Sequence, residues 1–178
     1  CLGAPPGLAQ VAVSSRAWDV MASKPQRNHG WYLNLQVWRD HAQRWADWHP
    51  YPITMPTSTI LALRASLRNL VAEGLANRIQ RYTWLARRLR SGLNDLGLRL
   101  FAPEEYLAPV LTGIMSPDGV PSSQIVNYLL EEHHIQITGG FGDEMKERIF
   151  RVGHMGPLIS EQDIDAVLAG VGMFLRNH

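Results

Sequence analysis

Between Ser58 and Leu96 the apolar residues Leu61, Leu63, Leu67, Leu70, Val71, Leu75, Ile79, Tyr82, Leu85, Leu89 and Leu93 recur mainly at steps of three and four. That period is the signature of an amphipathic α-helix, so the middle of the chain is committed to helix before anything else is decided. At about 1.5 Å per residue, such a helix is long enough to reach across two domains. Gly74 is a place for it to bend or break, and Gly97 is a good C-terminal stop.

After Gly97 the pattern alternates: strands at 98–102 and 109–115, a helix at 121–134, strands at 135–138 and 148–153, and a helix at 160–176. Pro121-Ser122 and Ser160-Glu161-Gln162-Asp163 read as helix starts, the second as a capping box. The fold class is therefore α/β, with short strands covered by helices on one face. The front is different. Residues 8–14 read as a buried strand, Ser14 or Ser15 as a helix cap, and 16–22 as a short helix ended by Lys24-Pro25. Helical spacing returns between Trp31 and Trp48, and Pro50, Pro52 and Pro56 then impose an extended stretch. These pieces do not close a core, whereas residues from about 73 onward can. Five of the six tryptophans precede residue 50, which implies a front segment meant to pack on something larger.

Charge excludes several partners. Seventeen Lys and Arg face sixteen Asp and Glu, so no one-signed field draws nucleic acid or an anionic membrane. No apolar run approaches the ~20 residues of a membrane-crossing helix. Cys1 is the only cysteine, which rules out an internal disulfide or a thiolate metal cage and suits a reducing compartment. The N-terminus has no signal-peptide pattern and no initiator Met, so the natural start is expected upstream. His133, His134 and His154 have no ligand spacing and read as polar residues near helix ends.

Three segments carry a resemblance that spans nearly the whole chain. They are Gly3-Ala4-Pro5-Pro6-Gly7-Leu8-Ala9; Tyr51-Pro52-Ile53-Thr54-Met55-Pro56, leading into a helix with Leu63-Arg64-Ala65-Ser66-Leu67; and Ile149-Phe150-Arg151-Val152-Gly153-His154-Met155-Gly156, preceded by Ile137-Thr138-Gly139-Gly140-Phe141-Gly142. Together they resemble the C-terminal part of class V pyridoxal-phosphate aminotransferases of the alanine/serine-glyoxylate (serine-pyruvate) kind. The resemblance implies a fold-type-I transferase in which residues 1–72 finish the large cofactor-binding domain and 73–178 form the small α/β domain. The family's Schiff-base lysine would lie directly before Cys1, so the chain alone is expected to be inactive. The reaction implied is amino transfer from serine or alanine to glyoxylate or pyruvate, in a homodimer with shared sites. The expected location is cytoplasmic, or peroxisomal or mitochondrial in a eukaryote, although Arg176-Asn177-His178 is no peroxisomal tail.

The residue types suit that chemistry. A guanidinium donates paired hydrogen bonds to a carboxylate and keeps its proton, and Arg151 looks like the family's substrate-carboxylate arginine. On its own, such a residue is ordinarily an edge-strand arginine in a surface ion pair. Tyr51 and Thr54 supply hydroxyls that the resemblance places on the phosphate of the partner subunit's cofactor, against the plainer roles of buried tyrosine and helix cap, for which Thr57 and Ser58 compete. Gly139-Gly140 permits a close backbone approach to substrate, or is a plain turn. Asn34 departs from the family, which often has an acidic residue there. The alternatives are another class V enzyme, such as an aminoethylphosphonate transaminase, or a non-catalytic dimerisation module. A cysteine desulfurase is disfavoured because no cysteine follows Cys1.

Overall fold

The computed structural model describes residues 2–24 and 30–177. Internal contacts divide the chain into two units, one made of Cys1–Gly3 with Ser66–His178 and the other of Ala4–Ala65. The helix-breaking Lys24-Pro25 step and the neighbourhood of Cys1 fall partly or wholly outside the described residues.

In the Ala4–Ala65 unit, helix α1 spans Ser15–Ser23, and the Ser14 hydroxyl caps it by accepting from the Ala17 N–H at 3.2 Å. Helix α2 spans Leu35–Arg44, capped by the Asn34 side chain, which accepts from the Gln36 N–H. The departure from an acidic residue at position 34 thus retains a side chain able to cap. The strand expected at 8–14 does not form. A strand exists only where a neighbour takes its backbone groups, and no described segment pairs with this one. Helix α3, Thr57–Glu73, follows the proline-rich stretch.

The predicted long helix is two helices. Gly74, at φ 86° and ψ 132°, interrupts it, and α4 runs Leu75–Asp95. Only glycine enters that region without Cβ strain. Gly97, at φ 80°, ends α4 as expected. Then come β1 (Leu111–Met115), α5 (Ser122–His133), β2 (Thr138–Gly139), the short α6 (Gly142–Met145), β3 (Ile149–Gly153) and α7 (Glu161–Asn177). The strand predicted at 98–102 shrinks to one bridge, Leu100 to Ile114. Pro103, unable to donate, helps to cut it short. Strand β2 is likewise short and displaced: of the four residues expected at 135–138 only Thr138 belongs to it, with Gly139 beyond them. At the start of α7 the Asp163 carboxylate accepts from the Ser160 N–H at 2.8 Å and from its hydroxyl at 2.7 Å, a capping pair with aspartate in the usual glutamate place.

The sheet is antiparallel in the order β1-β3-β2, so β3 is central. One face carries Ile114, Phe150 and Val152 into a core shared with Leu85, Leu89 and Leu93 of α4, Ile125 and Leu129 of α5, and Ile164, Val171 and Phe174 of α7. Of the histidines, His154 departs from expectation. His134 does end α5, in the left-handed region, with its N–H on the Leu130 carbonyl. His154 is no helix-end residue: it is fully buried beyond β3 and shares a 2.9 Å hydrogen bond between Nε2 and Thr112 Oγ1. Arg90 Nε donates to that same hydroxyl at 3.2 Å, so one Thr112 oxygen ties the imidazole to the guanidinium.

Burial, with the nearby Arg90 charge, lowers the His154 pKa from 6.5 to about 4. Between those values the unfolded chain binds a proton that the folded one refuses, so stability is lost as pH falls through the window. The expected loss is up to about 3 kcal/mol. Denaturant unfolding at several pH values measures it, and His154→Gln should flatten the slope; an unchanged slope removes His154 as its source.

Candidate active site

Arg151 sits at the middle of the central strand, with Gly113 of β1 on one side and Thr138 of β2 on the other. Phe150 and Val152 point into the core, so the alternation of β3 turns Arg151 to the opposite face. Its Nε donates to the Gly139 carbonyl at 2.8 Å, and its guanidinium carbon lies 4.4 Å from the centre of the Phe141 ring. No carboxylate of the described residues pairs with it. The edge-strand ion pair is therefore not what this arginine does. One nitrogen and one ring face fix its plane, and Nη1 and Nη2 remain for a ligand.

The glycine pair explains how that plane is fixed. A Cβ on Gly140 would lie 2.1 Å from the Met145 carbonyl oxygen, and one on Gly139 3.0 Å from that of Lys146. The close approach these glycines allow is thus to α6 and the residue after it, which sets the Gly139 carbonyl and Phe141 beside Arg151. Phe141 is 79% exposed, a costly place for a phenyl ring unless something covers it. Sequence periodicity had no way to single it out, because the cation it meets lies on the next strand, beyond α6.

The segment after β3 is also held. The Tyr82 hydroxyl accepts from the Gly156 N–H at 3.0 Å, and Arg81 donates to the Ile159 carbonyl at 2.7 Å. Arg81 also binds Glu73 at 2.8 Å, and the almost fully buried Arg78 takes the other Glu73 oxygen. The hydrogen bond from Arg81, with that from Arg78, keeps the Glu73 carboxyl below its ordinary pKa of 4.5. Glu73 thus bridges the Gly74 break to the loop that follows Arg151. Gly3, from the first motif, meets that loop as well: a Cβ there would fall 2.5 Å from Pro157 Cδ.

In the other unit, Trp31 Nε1 donates to the Pro52 carbonyl at 2.9 Å and steadies the Tyr51–Thr54 stretch. The Tyr51 ring packs at a tilt against His49, with centroids 4.7 Å apart. Neither the Tyr51 hydroxyl nor that of Thr54 bonds to a described residue, and Thr54 takes no part in starting α3, whose Ile60 N–H goes to Pro56. Both hydroxyls are uncommitted donors, which is what a phosphate ester requires. The donor set present fits the group.

No family model matches the chain. Among curated proteins it is 34% identical, over 99% of its length, to an uncharacterized aminotransferase of Methanocaldococcus jannaschii. It is 31% identical, over 95% of its length, to pyridoxamine–pyruvate transaminase of Mesorhizobium japonicum. The crystal structure of an alanine–glyoxylate aminotransferase from Nostoc sp. superposes with a TM-score of 0.80 at 32% identity, covering 92% of the chain. The chain belongs with the class V aminotransferases. It matches the C-terminal part of these fold-type-I enzymes and spans 44%, 42% and 42% of the three relatives' own lengths. Pyridoxal phosphate is the cofactor expected of a class V aminotransferase. No helix among the described residues is long and apolar enough to cross a membrane.

Proposed function

We propose that this chain is the C-terminal part of a pyridoxal-phosphate enzyme that transfers an amino group from a small amino acid, serine or alanine, to glyoxylate or pyruvate. The observation that carries the reading is Arg151, with a guanidinium braced on one nitrogen and one face and two nitrogens free. The acceptors named for its relatives, pyruvate and glyoxylate, share a carboxylate beside a carbonyl. Two parallel hydrogen bonds from Nη1 and Nη2 suit that group and fix which way the carbonyl points. The amino acid binds by its own carboxylate, so one residue orients both substrates.

Tyr51 and Thr54 are read as hydroxyl donors to the cofactor phosphate, given across a homodimer. The bound cofactor supplies the electron sink that makes the α-carbon proton removable. Residues 1–72 are assigned to the end of a large domain and 73–178 to a small one. The cofactor-bearing lysine is assigned to the longer protein, so activity belongs to that protein and not to these 178 residues. Tyr51→Phe in the longer protein should weaken cofactor binding about tenfold, the worth of one hydrogen bond to a charged group. Titration of cofactor into apoprotein, followed by visible absorbance, measures it. Unchanged affinity removes Tyr51 from the site, and failure to form alanine from pyruvate or glycine from glyoxylate removes the reaction itself.

A further inference from the structure

A second basic site lies on the outer face of α4 and shares no residue with Arg151, Tyr51 or Thr54. Arg87, Arg90, Ser91 and Asn94 recur at helical spacing and so form one stripe. Arg99, just beyond the Gly97 turn, faces them, and Glu104 closes the far side of a cleft of about 510 Å³. That volume suits a small molecule.

The charges in this cleft are not balanced. Three guanidiniums meet one carboxylate, and no carboxylate of the described residues lies within 4.0 Å of Arg87, Arg90 or Arg99. The neighbouring Arg88 shows the contrast, since Asp165 grips it through two hydrogen bonds of 2.8 Å. Arg90 is also held in place: Nη2 donates to the Ala108 carbonyl at 2.5 Å and Nε to Thr112. Its Nη1 is left over. Burial pulls the Arg90 pKa down from its ordinary value, and Glu104 offsets this only in part. A partly buried cation without a counter-ion is costly unless an anion arrives.

We propose that this cleft binds a small phosphate-bearing dianion. The surplus of two positive charges matches a dianion, arginine forks suit phosphate oxygens, and the Ser91 hydroxyl and Asn94 amide add neutral donors around a tetrahedral group. The site is independent of the amino-transfer reading. The test is calorimetric titration of the full-length protein with inorganic phosphate and, separately, glycerol 3-phosphate, at constant ionic strength in chloride. A saturable step is expected, and the Arg87→Ser/Arg99→Ser double variant, altered at two exposed side chains, should weaken it by about tenfold or more. Tyr51→Phe/Thr54→Ala, which touches only the proposed cofactor contacts, should leave the step in place. Tighter binding of the ester identifies a phosphorylated metabolite, and equal binding identifies free phosphate. Absence of a saturable step, an unaltered step in the arginine variant, loss of the step in the Tyr51/Thr54 variant, or binding of an acidic peptide without any phosphate step would each overturn the proposal.

Discussion

Arg151→Lys is expected to lower kcat/KM of the full-length protein for its 2-oxo acid by about a hundred- to a thousandfold, equivalent to about 3–4 kcal/mol. Lysine keeps the positive charge but has a single nitrogen. It cannot both hold the Gly139 carbonyl and offer two parallel donors, so the carboxylate loses its paired contact and the substrate its orientation. In the proposed reaction both substrates dock by a carboxylate, so both half-reactions should suffer. Steady-state kinetics with the amino acid and the 2-oxo acid varied in turn reads this directly. Retention of activity within about threefold would mean that the carboxylate is bound elsewhere.

Phe150→Ala is expected to cost about 3–5 kcal/mol of folding stability. The ring is fully buried between the sheet and the helices, and its removal leaves a cavity that α4, α5 and α7 cannot all close around. Against a typical net stability of about 5–15 kcal/mol, that is a large share. Urea unfolding of the full-length protein measures it. As a companion, Val71→Ala, at a side chain 80% exposed, should stay within about 0.5 kcal/mol, and comparable losses for the two would place the core elsewhere.

The longer helices were the readable part of this fold, because their apolar stripes repeat often enough to stand out, whereas the four-residue α6 has none. The stripe from Leu61 to Leu93 marked α3 and α4, and Gly74 was visible as a place to break them. Strands of two to five residues carry little period of their own. Residues 8–14 and 98–102 have strand-like composition, yet a strand depends on a neighbour that local sequence does not name. Arg151 was legible through its motif and its position in an apolar strand. Its brace was not, since the Gly139 carbonyl and the Phe141 ring come from a turn whose shape depends on backbone contact with α6. The Glu73, Arg78 and Arg81 cluster was hidden for a similar reason. Charged residues on a helical stripe usually face water, whereas Arg78 is almost fully buried.

The central position of β3 carries a consequence for how such a protein can vary. Shifting this strand by one residue against both neighbours would send the guanidinium into the oily interior and expel a phenyl ring in its place. Insertions and deletions that displace β3 along the sheet are therefore tolerable only in even steps, and an odd one destroys stability and chemistry at a stroke. Length changes should accumulate instead in connections that leave this parity alone, such as the exposed turn around Gly119.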